Sequence, residues 1–460
     1  MAQRSGSVTG ALNDAPLSLF HLRTVLTAGM GFFTDAYDLF IISAAVTLIK
    51  VQWAPSATML GLLSSTALIA AFVGAFLFGR IADVFGRKSI YGLEAAIMAG
   101  GAIASAFAPN ILWLIIFRFI LGVGIGGDYP VSAVLMSEYS NRKDRGKLVG
   151  LVFSMQALGL VAGPIVAMTL LASGVPGDVA WRLMLGLGAV PALAVIYLRR
   201  TLPESPRYIA RVRGKAQDAS RAVREYTGGQ VVAAVDAEPK VRLSFWQFLR
   251  DKRYLRLLLG TAGTWFVFDY AYYGNSISTP LIIKAVAPAA TSLETMAWTL
   301  IIFSVAAVPG YLLAFLKLDD IGHKRLQWIG FSLMGLAFLA LGVIPGITSM
   351  LIPFLVIYGV SYFFAEFGPN TTTFVLSAEL YPVNMRTTGH GLSAGIAKVG
   401  AFIGVFVFPI LSAAFGVAGT LRITFVFAMV GVLLTMLLPE PAKQDLEAVS
   451  YEENLVAQEA

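Results

Sequence analysis

Gly79-Arg-Ile-Ala-Asp83-Val-Phe-Gly86-Arg87-Lys88 stands between two apolar runs, 57–80 and 89–108, each long enough to cross a bilayer as a helix. A second turn, carrying Asp319, Gly322, His323 and Lys324, repeats its Asp-to-Gly spacing. Glu138 precedes Arg145 by seven residues and Glu379 precedes Arg386 by seven, while Leu202-Pro203-Glu204 recurs as Leu438-Pro439-Glu440. The offsets are 236, 241 and 236 residues. A near-constant shift of this size divides the chain into parallel repeats, as in membrane bundles whose halves are related by an axis along the membrane normal.

Working outward from the turn, runs of membrane length predict twelve helices at 22–49, 57–80, 89–108, 111–138, 147–174, 181–200, 256–284, 293–316, 326–344, 349–378, 388–415 and 420–438. The expectation is an all-α membrane protein of two six-helix bundles, 22–200 and 256–438, with tails at 1–21 and 439–460. The interval 201–255 is dense in Arg and Lys and reads as a linker, with one short helix expected near Phe245 to Leu249. Composition agrees: 57% of the 460 residues are apolar and 13% charged, and the mean hydropathy is +0.74. The first twenty residues lack the order of a cleavable signal.

Net charge is +7, but its distribution argues against a nucleic-acid partner. Of 34 Lys and Arg residues, only Lys50, Arg182, Lys284 and Arg422 fall in the alternate set of loops, and Arg118 and Lys398 fall within spans. The rest share the linker's side, which predicts cytoplasmic termini. The chain has no cysteine, and its histidines, His21, His323 and His390, show no ligand spacing. No metal or cofactor is expected.

Polar residues deep inside spans are few. In Gly124-Ile-Gly-Gly-Asp128-Tyr-Pro-Val-Ser-Ala-Val-Leu-Met-Ser-Glu138, Asp128 lies about 15 Å along a helix from where charges resume, and an acid at that depth reads as lining a pathway. Asp35, Asp38, Gln156, Asp269, Asn370 and Lys398 all fall roughly 13–24 Å from the cytoplasmic edge, so they can meet near the midplane. Trp265, Asp269 and Tyr273, at i, i+4 and i+8, form one stripe. Asp35 and Asp38 share a face and read as proton carriers, since neighbouring carboxylates disfavour each other's ionisation. Lys398 either pairs with one of the acids or offers charge to an anionic substrate. With Trp, Tyr, Gln and Asn nearby, the set is rich in donors and poor in guanidinium forks, which suits a small oxyanion that must also be released.

The turn at Gly79, Asp83, Gly86, Arg87 and Lys88, with the Glu138/Arg145 and Glu379/Arg386 pairs and Pro203-Glu-Ser-Pro-Arg207, resembles the major facilitator superfamily. Asp83 and its counterpart Asp319 are expected to accept bonds at helix N-termini, while the bases meet acids of the neighbouring half. A narrower resemblance is carried by Thr34-Asp35-Ala36-Tyr37-Asp38, Gly126-Gly127-Asp128-Tyr129-Pro130, Met155-Gln156, Trp265, Asp269, Tyr273, Gly368-Pro-Asn370-Thr-Thr-Thr-Phe374 and Ala397-Lys398, which resemble the phosphate:proton symporter family. The resemblance implies phosphate held by Tyr129, Gln156, Trp265, Asp269, Tyr273 and Asn370 with help from Lys398. It implies protons handled by Asp35, Asp38, Glu94 and Asp128, with Asp269 also coupling. It further implies import through a cell membrane by alternating access. The same scaffold could carry another small anion, an organic acid or a sugar, or serve as a sensor. No nucleophile–base pair or cofactor loop suggests an enzyme, since Gly122-x-Gly124-x-Gly126-Gly127 has no flanking strand.

Overall fold

The computed structural model describes residues 3–5, 7–227, 229, 231–233 and 238–459. The charged turns stop helices where glycine permits the required backbone. Gly86, at φ 102°, ends helix Ala57–Phe85, and Gly322, at φ 97°, ends Val308–Ile321. Each turn is closed by the repeated Leu-Pro-Glu. Glu204 accepts from the Arg87 and Lys88 N–H groups at 3.2 and 3.3 Å, and Glu440 accepts from those of His323 and Lys324 at 2.9 and 3.0 Å. A Cβ at Gly86 or Gly322 would meet the same two carboxylates, so the repeat seen in sequence is a repeated cap.

Among the described residues ten helices are long and apolar enough to cross a membrane: Leu19–Trp53, Thr58–Phe85, Arg87–Ala106, Ile111–Tyr139, Arg145–Ala172, Gly177–Thr201, Ser292–Ile321, His323–Val343, Leu351–Glu379 and Arg386–Thr435. The sequence predicts twelve, and two features explain the difference. Lys252–Ile277 is long enough, but Asp269, Trp265 and the three tyrosines Tyr270, Tyr272 and Tyr273 dilute its apolar residues. The runs 388–415 and 420–438 belong to one 50-residue element, Arg386–Thr435, which turns at Gly416, where φ is 67° and ψ 174°.

Small residues set how closely the helices pack. Ala57–Phe85 lies along Ile111–Tyr139, with Gly122 and Gly126 against the Ala67 and Ala71 carbonyls. Its other side lies on Arg386–Thr435, where Gly79 and Gly391 face each other.

The linker and tails are more ordered than the sequence predicts. Helices Pro206–Arg211, Ala216–Tyr226 and Phe245–Arg250 form in the linker, Val8–Asn13 in the first tail, and Leu446–Val449 and Glu452–Glu459 in the last. Ala219, Ala222, Val223 and Tyr226, at helical spacing, bury against Val8, Ala11 and Leu12. Strand Gln3–Ser5 pairs in parallel with Val231–Ala233. The apolar stripe is short and lies within a heavily charged stretch, so the linker's composition hides it.

Candidate functional site

The helices bring one group of sequence-singled residues together, all of it buried. The Tyr129 hydroxyl donates to Asp35 Oδ2 at 2.6 Å, and Gln156 Nε2 reaches the same oxygen at 3.2 Å and the Tyr129 hydroxyl at 3.1 Å. Tyr311 donates to Gln156 Oε1 at 2.9 Å and accepts from Asn370 Nδ2 at 2.8 Å. Lys398 Nζ donates to Asp269 Oδ2 at 3.1 Å and to the Tyr273 hydroxyl at 3.0 Å. It also lies 4.6 Å from the Tyr129 ring centre and 4.3 Å from that of Tyr273, so one cation binds both parts of the group. Trp265 packs at 5.9 Å from Tyr129. Pro130 follows Tyr129 inside helix Ile111–Tyr139, Gln156 opens helix Gln156–Ala172, and the π-helical Glu366–Asn370, kinked at Gly368, aims Asn370 inward. On the linker side the group is roofed by Phe32, Phe153 and Phe374, and on the opposite side by Phe40, 5.5 Å from Phe303 and 6.4 Å from Tyr273.

Three predicted proton carriers are held differently. Asp38 faces away from Asp35 and binds Arg118 at 2.6 Å. One shared helix face therefore splits between two partners, because i and i+3 still differ by about 60° in direction. Asp128 lies against Arg199 at 2.6 and 3.0 Å, and Glu94 meets the same guanidinium at 2.9 Å. Asp128 is thus in a buried ionic triad instead of lining an open path. No guanidinium bonds the central group among the described residues, and Arg118 and Arg199 are occupied by Asp38, Asp128 and Glu94. Sequence reasoning gave Arg118 and Arg199 no partner and missed Tyr311 and Glu366. The available signal for Glu366 was an acid thirteen residues inside the span that ends at Glu379.

The charged turns form two matching locks at the linker end. Asp83 accepts from the N–H and hydroxyl groups of Thr387 and Thr388 at 2.6–3.3 Å, capping the helix that starts at Arg386. Asp319 accepts from the Gly146 and Lys147 N–H groups at 3.1 and 2.7 Å, capping the helix that starts at Arg145. Arg87 meets Asp83 and Glu138 within its own half, and Arg386 crosses from the other half to Glu138 at 3.1 Å. Arg145 crosses to Glu379 at 3.2 Å, with His323 also beside that acid. The last tail joins in: Glu452 bonds Arg386 at 2.8 Å and Arg211 at 2.6 Å, and Glu447 bonds Arg207. Burial pushes the Glu447 carboxyl up, but Arg207, Arg386 and Arg211 outweigh it and leave it below the usual range. At Glu204 burial prevails over Arg87, and its carboxyl lies above that range.

Comparison with known proteins fits this geometry. Residues 24–452 match the family described as "Sugar (and other) transporter". "Probable inorganic phosphate transporter 1-6" of Arabidopsis thaliana is 35% identical, over 98% of this chain and 97% of its own. The "Repressible high-affinity phosphate permease" of Neurospora crassa is 34% identical over 97% and 89%, and the "Inorganic phosphate transporter PHO84" of Saccharomyces cerevisiae 32% over 96% and 86%. In fold the chain is similar to the proton:xylose symporter XylE bound to 6-bromo-6-deoxy-D-glucose, with a TM-score of 0.79 at 20% identity, covering 94% of this chain and 99% of that one. This is a multi-pass membrane transporter of the major facilitator fold, not an enzyme. Within that class the chain belongs to the phosphate:proton symporter family.

Proposed function

We propose that this chain imports inorganic phosphate together with protons across the cell membrane. In this reading it crosses the membrane twelve times, with the linker and both termini in the cytoplasm, and its halves, 22–200 and 256–438, rock about the central group. The observation that carries the proposal is Lys398, held between Asp269 and Tyr273 over the Tyr129 ring in a closed group built from both halves. The phosphate transporters named above, each over 30% identical along nearly the whole chain, support the choice of substrate.

The donor and acceptor inventory favours a protonated oxyanion. Dihydrogen phosphate both accepts and donates hydrogen bonds. Lys398, Tyr129, Gln156, Asn370 and Trp265 can donate to it, and Asp35 and Asp269 can accept from it. Sulfate offers no proton to either carboxylate and would face them as a bare like charge. Tyr273, which already accepts from Lys398, helps keep the ammonium in place.

Asp269 gives the coupling its sign. Ionised, it holds Lys398 and repels the anion; protonated, it releases Lys398 to the phosphate. Binding from the proton-rich side is thereby favoured, and loss of the proton inside returns Lys398 to Asp269 and expels the anion. Radiolabelled phosphate uptake into proteoliposomes with an inward proton gradient tests this. The parent chain accumulates phosphate, and Asp269→Asn retains binding but loses gradient-dependent accumulation; undiminished uphill uptake by the variant overturns the role of Asp269.

A further inference from the structure

Of the buried carboxylates among the described residues, Asp35 and Glu366 alone have no Arg, Lys or His within ion-pair distance. Asp35 belongs to the central group. Glu366 sits in the π-helical turn Glu366–Asn370 and is fully buried. It is enclosed where two neighbouring helices come close: a Cβ at Gly310 would meet Glu366 Cβ at 2.9 Å, and one at Gly330 would meet Gly368 at 2.4 Å. Its polar surroundings are hydroxyls and an amide. Asn370 Nδ2 donates to Oε2, while the Tyr272, Tyr311 and Tyr362 hydroxyls approach from their helices. The Tyr272 hydroxyl faces the carboxyl, but no well-aligned hydrogen bond reaches Oε1.

An ionised carboxylate needs donors or a cation, and without them its burial costs several kcal/mol. With no cation to fix its charge and the Tyr272 hydroxyl beside Oε1, the carboxyl can hold or release a proton: protonated, its O–H donates to that hydroxyl, and ionised, the hydroxyl donates to it. Glu366 is also wired to the site. From Glu366 the hydrogen bonds run through Asn370, Tyr311 and Gln156 to Asp35, joining the two cation-free acids across the halves. A separate cluster of hydroxyls lies near Glu366, with Tyr362 at 2.9 Å and Tyr358 at 3.2 Å from Thr279 Oγ1.

We infer that Glu366 is a second proton-carrying carboxyl of the transport cycle, loaded on its Oε1 while the centre is closed and unloaded when rocking parts Tyr311 from Gln156 and admits water. The step is a proton binding to and leaving one carboxylate oxygen, with no other bond changed. Asp35 and Glu366 then each carry a proton for their own half, and the amide–phenol chain between them makes each sensitive to the hydrogen bonds the other accepts.

The inference rests on the transport reading above, and two measurements keep the two apart. In proteoliposomes, proton influx and radiolabelled phosphate uptake are measured together; Glu366→Gln keeps the shape and the acceptor for Asn370 but cannot titrate. The expected result is a loss of about one co-transported proton per phosphate and a flatter dependence of uptake on external pH, whatever the residual rate. An unchanged ratio and profile overturn the proposal. If Glu366→Gln does not fold, or the parent carries no phosphate, infrared spectroscopy of the folded parent and of Asp35→Asn decides instead. The parent should show protonated-carboxyl bands at neutral pH, and one should survive in Asp35→Asn. Its absence overturns the proposal without bearing on the substrate.

Discussion

Asp38→Asn separates two roles open to a carboxylate at this depth. Arg118 Nη1 reaches Asp38 Oδ1 at 2.7 Å and Oδ2 at 2.6 Å, and both side chains are 1% exposed. Arg118 cannot shed its proton. Removing the acid therefore leaves a buried cation, and breaking such a pair costs about 3–5 kcal/mol. Asn still offers one carbonyl oxygen, worth about 1 kcal/mol as a neutral partner, so the net loss should be about 2–4 kcal/mol. Were Asp38 a proton carrier without a fixed partner, Asn would imitate its protonated form and stability would hardly move. The chain has seven tryptophans and no cysteine, so intrinsic fluorescence of the detergent-solubilised protein follows unfolding directly. Asp38→Asn and Arg118→Gln should each lower the transition by several degrees, and the double variant, with both charges gone, should recover most of the loss. A single variant as stable as the parent that has lost proton coupling would refute this account and return Asp38 to the proton path.

Asp83→Asn replaces four bonds to Thr387 and Thr388 by an amide that meets the same donors with its own NH2, a loss of about 1.5–3 kcal/mol. A cysteine at buried Ser137, read by thiol labelling, should then react about 10- to 100-fold faster as the linker end opens more often. Gly391→Ala places a Cβ 2.3 Å from the Ala75 carbonyl, so it should disfavour the same closed end and raise that labelling while leaving helix content by circular dichroism unchanged. Glu447 is held below its ordinary range in the folded chain, so its contribution is present above its unfolded value, near 4.5, and fades as pH falls through the lower folded value. Glu447→Gln should accordingly lower thermal stability at pH 6 to 8, with the gap to the parent closing in strong acid.

The parts of this structure that depend on neighbours in sequence were legible, and those that depend on distant partners were not. Apolar runs and glycine punctuation mark the helices and turns, and the repeated Asp-x-x-Gly and Leu-Pro-Glu mark the caps, because each is local chemistry. Arg199 reads as one of two basic residues ending a span, yet it turns back to Asp128 and Glu94, 71 and 105 residues away. Arg118 meets Asp38 at a separation of 80. Nothing in spacing couples such pairs, and without them Asp38 and Asp128 look like free acids. Tyr311 and Glu366 escape for a related reason. A tyrosine in an apolar run is unremarkable, and Glu366 gains its meaning from Tyr272 and Asn370 meeting it in three dimensions. The linker helices are hidden differently, since a handful of apolar residues among many charges suffices once the tails supply a surface for them.

The two ends of the molecule are closed by unlike forces, and this bears on which opens first. At the linker end the halves are joined by ions and capped helix ends: Asp83 on Thr387 and Thr388, Asp319 on Gly146 and Lys147, Arg386 on Glu138 and Arg145 on Glu379. The last tail adds Glu447 and Glu452 on Arg207, Arg211 and Arg386. At the opposite end, among the described residues, no ion pair joins the halves; the contact there is apolar, Phe40 against Phe303 and Tyr273 and helix Ser292–Ile302 against Gln156–Ala172. Parting aromatic rings costs about 0.5–1.5 kcal/mol per pair beyond burial, whereas an ion that loses its partner while its end stays closed costs about 3–5 kcal/mol. The apolar end is therefore expected to yield first. Opening the linker end requires every lock to release together, because each acid left without its base, or each base without its acid, bears the full penalty of an unpaired buried charge. That cooperativity makes the closed linker end a discrete state, which a transporter needs if its two ends are not to stand open at once.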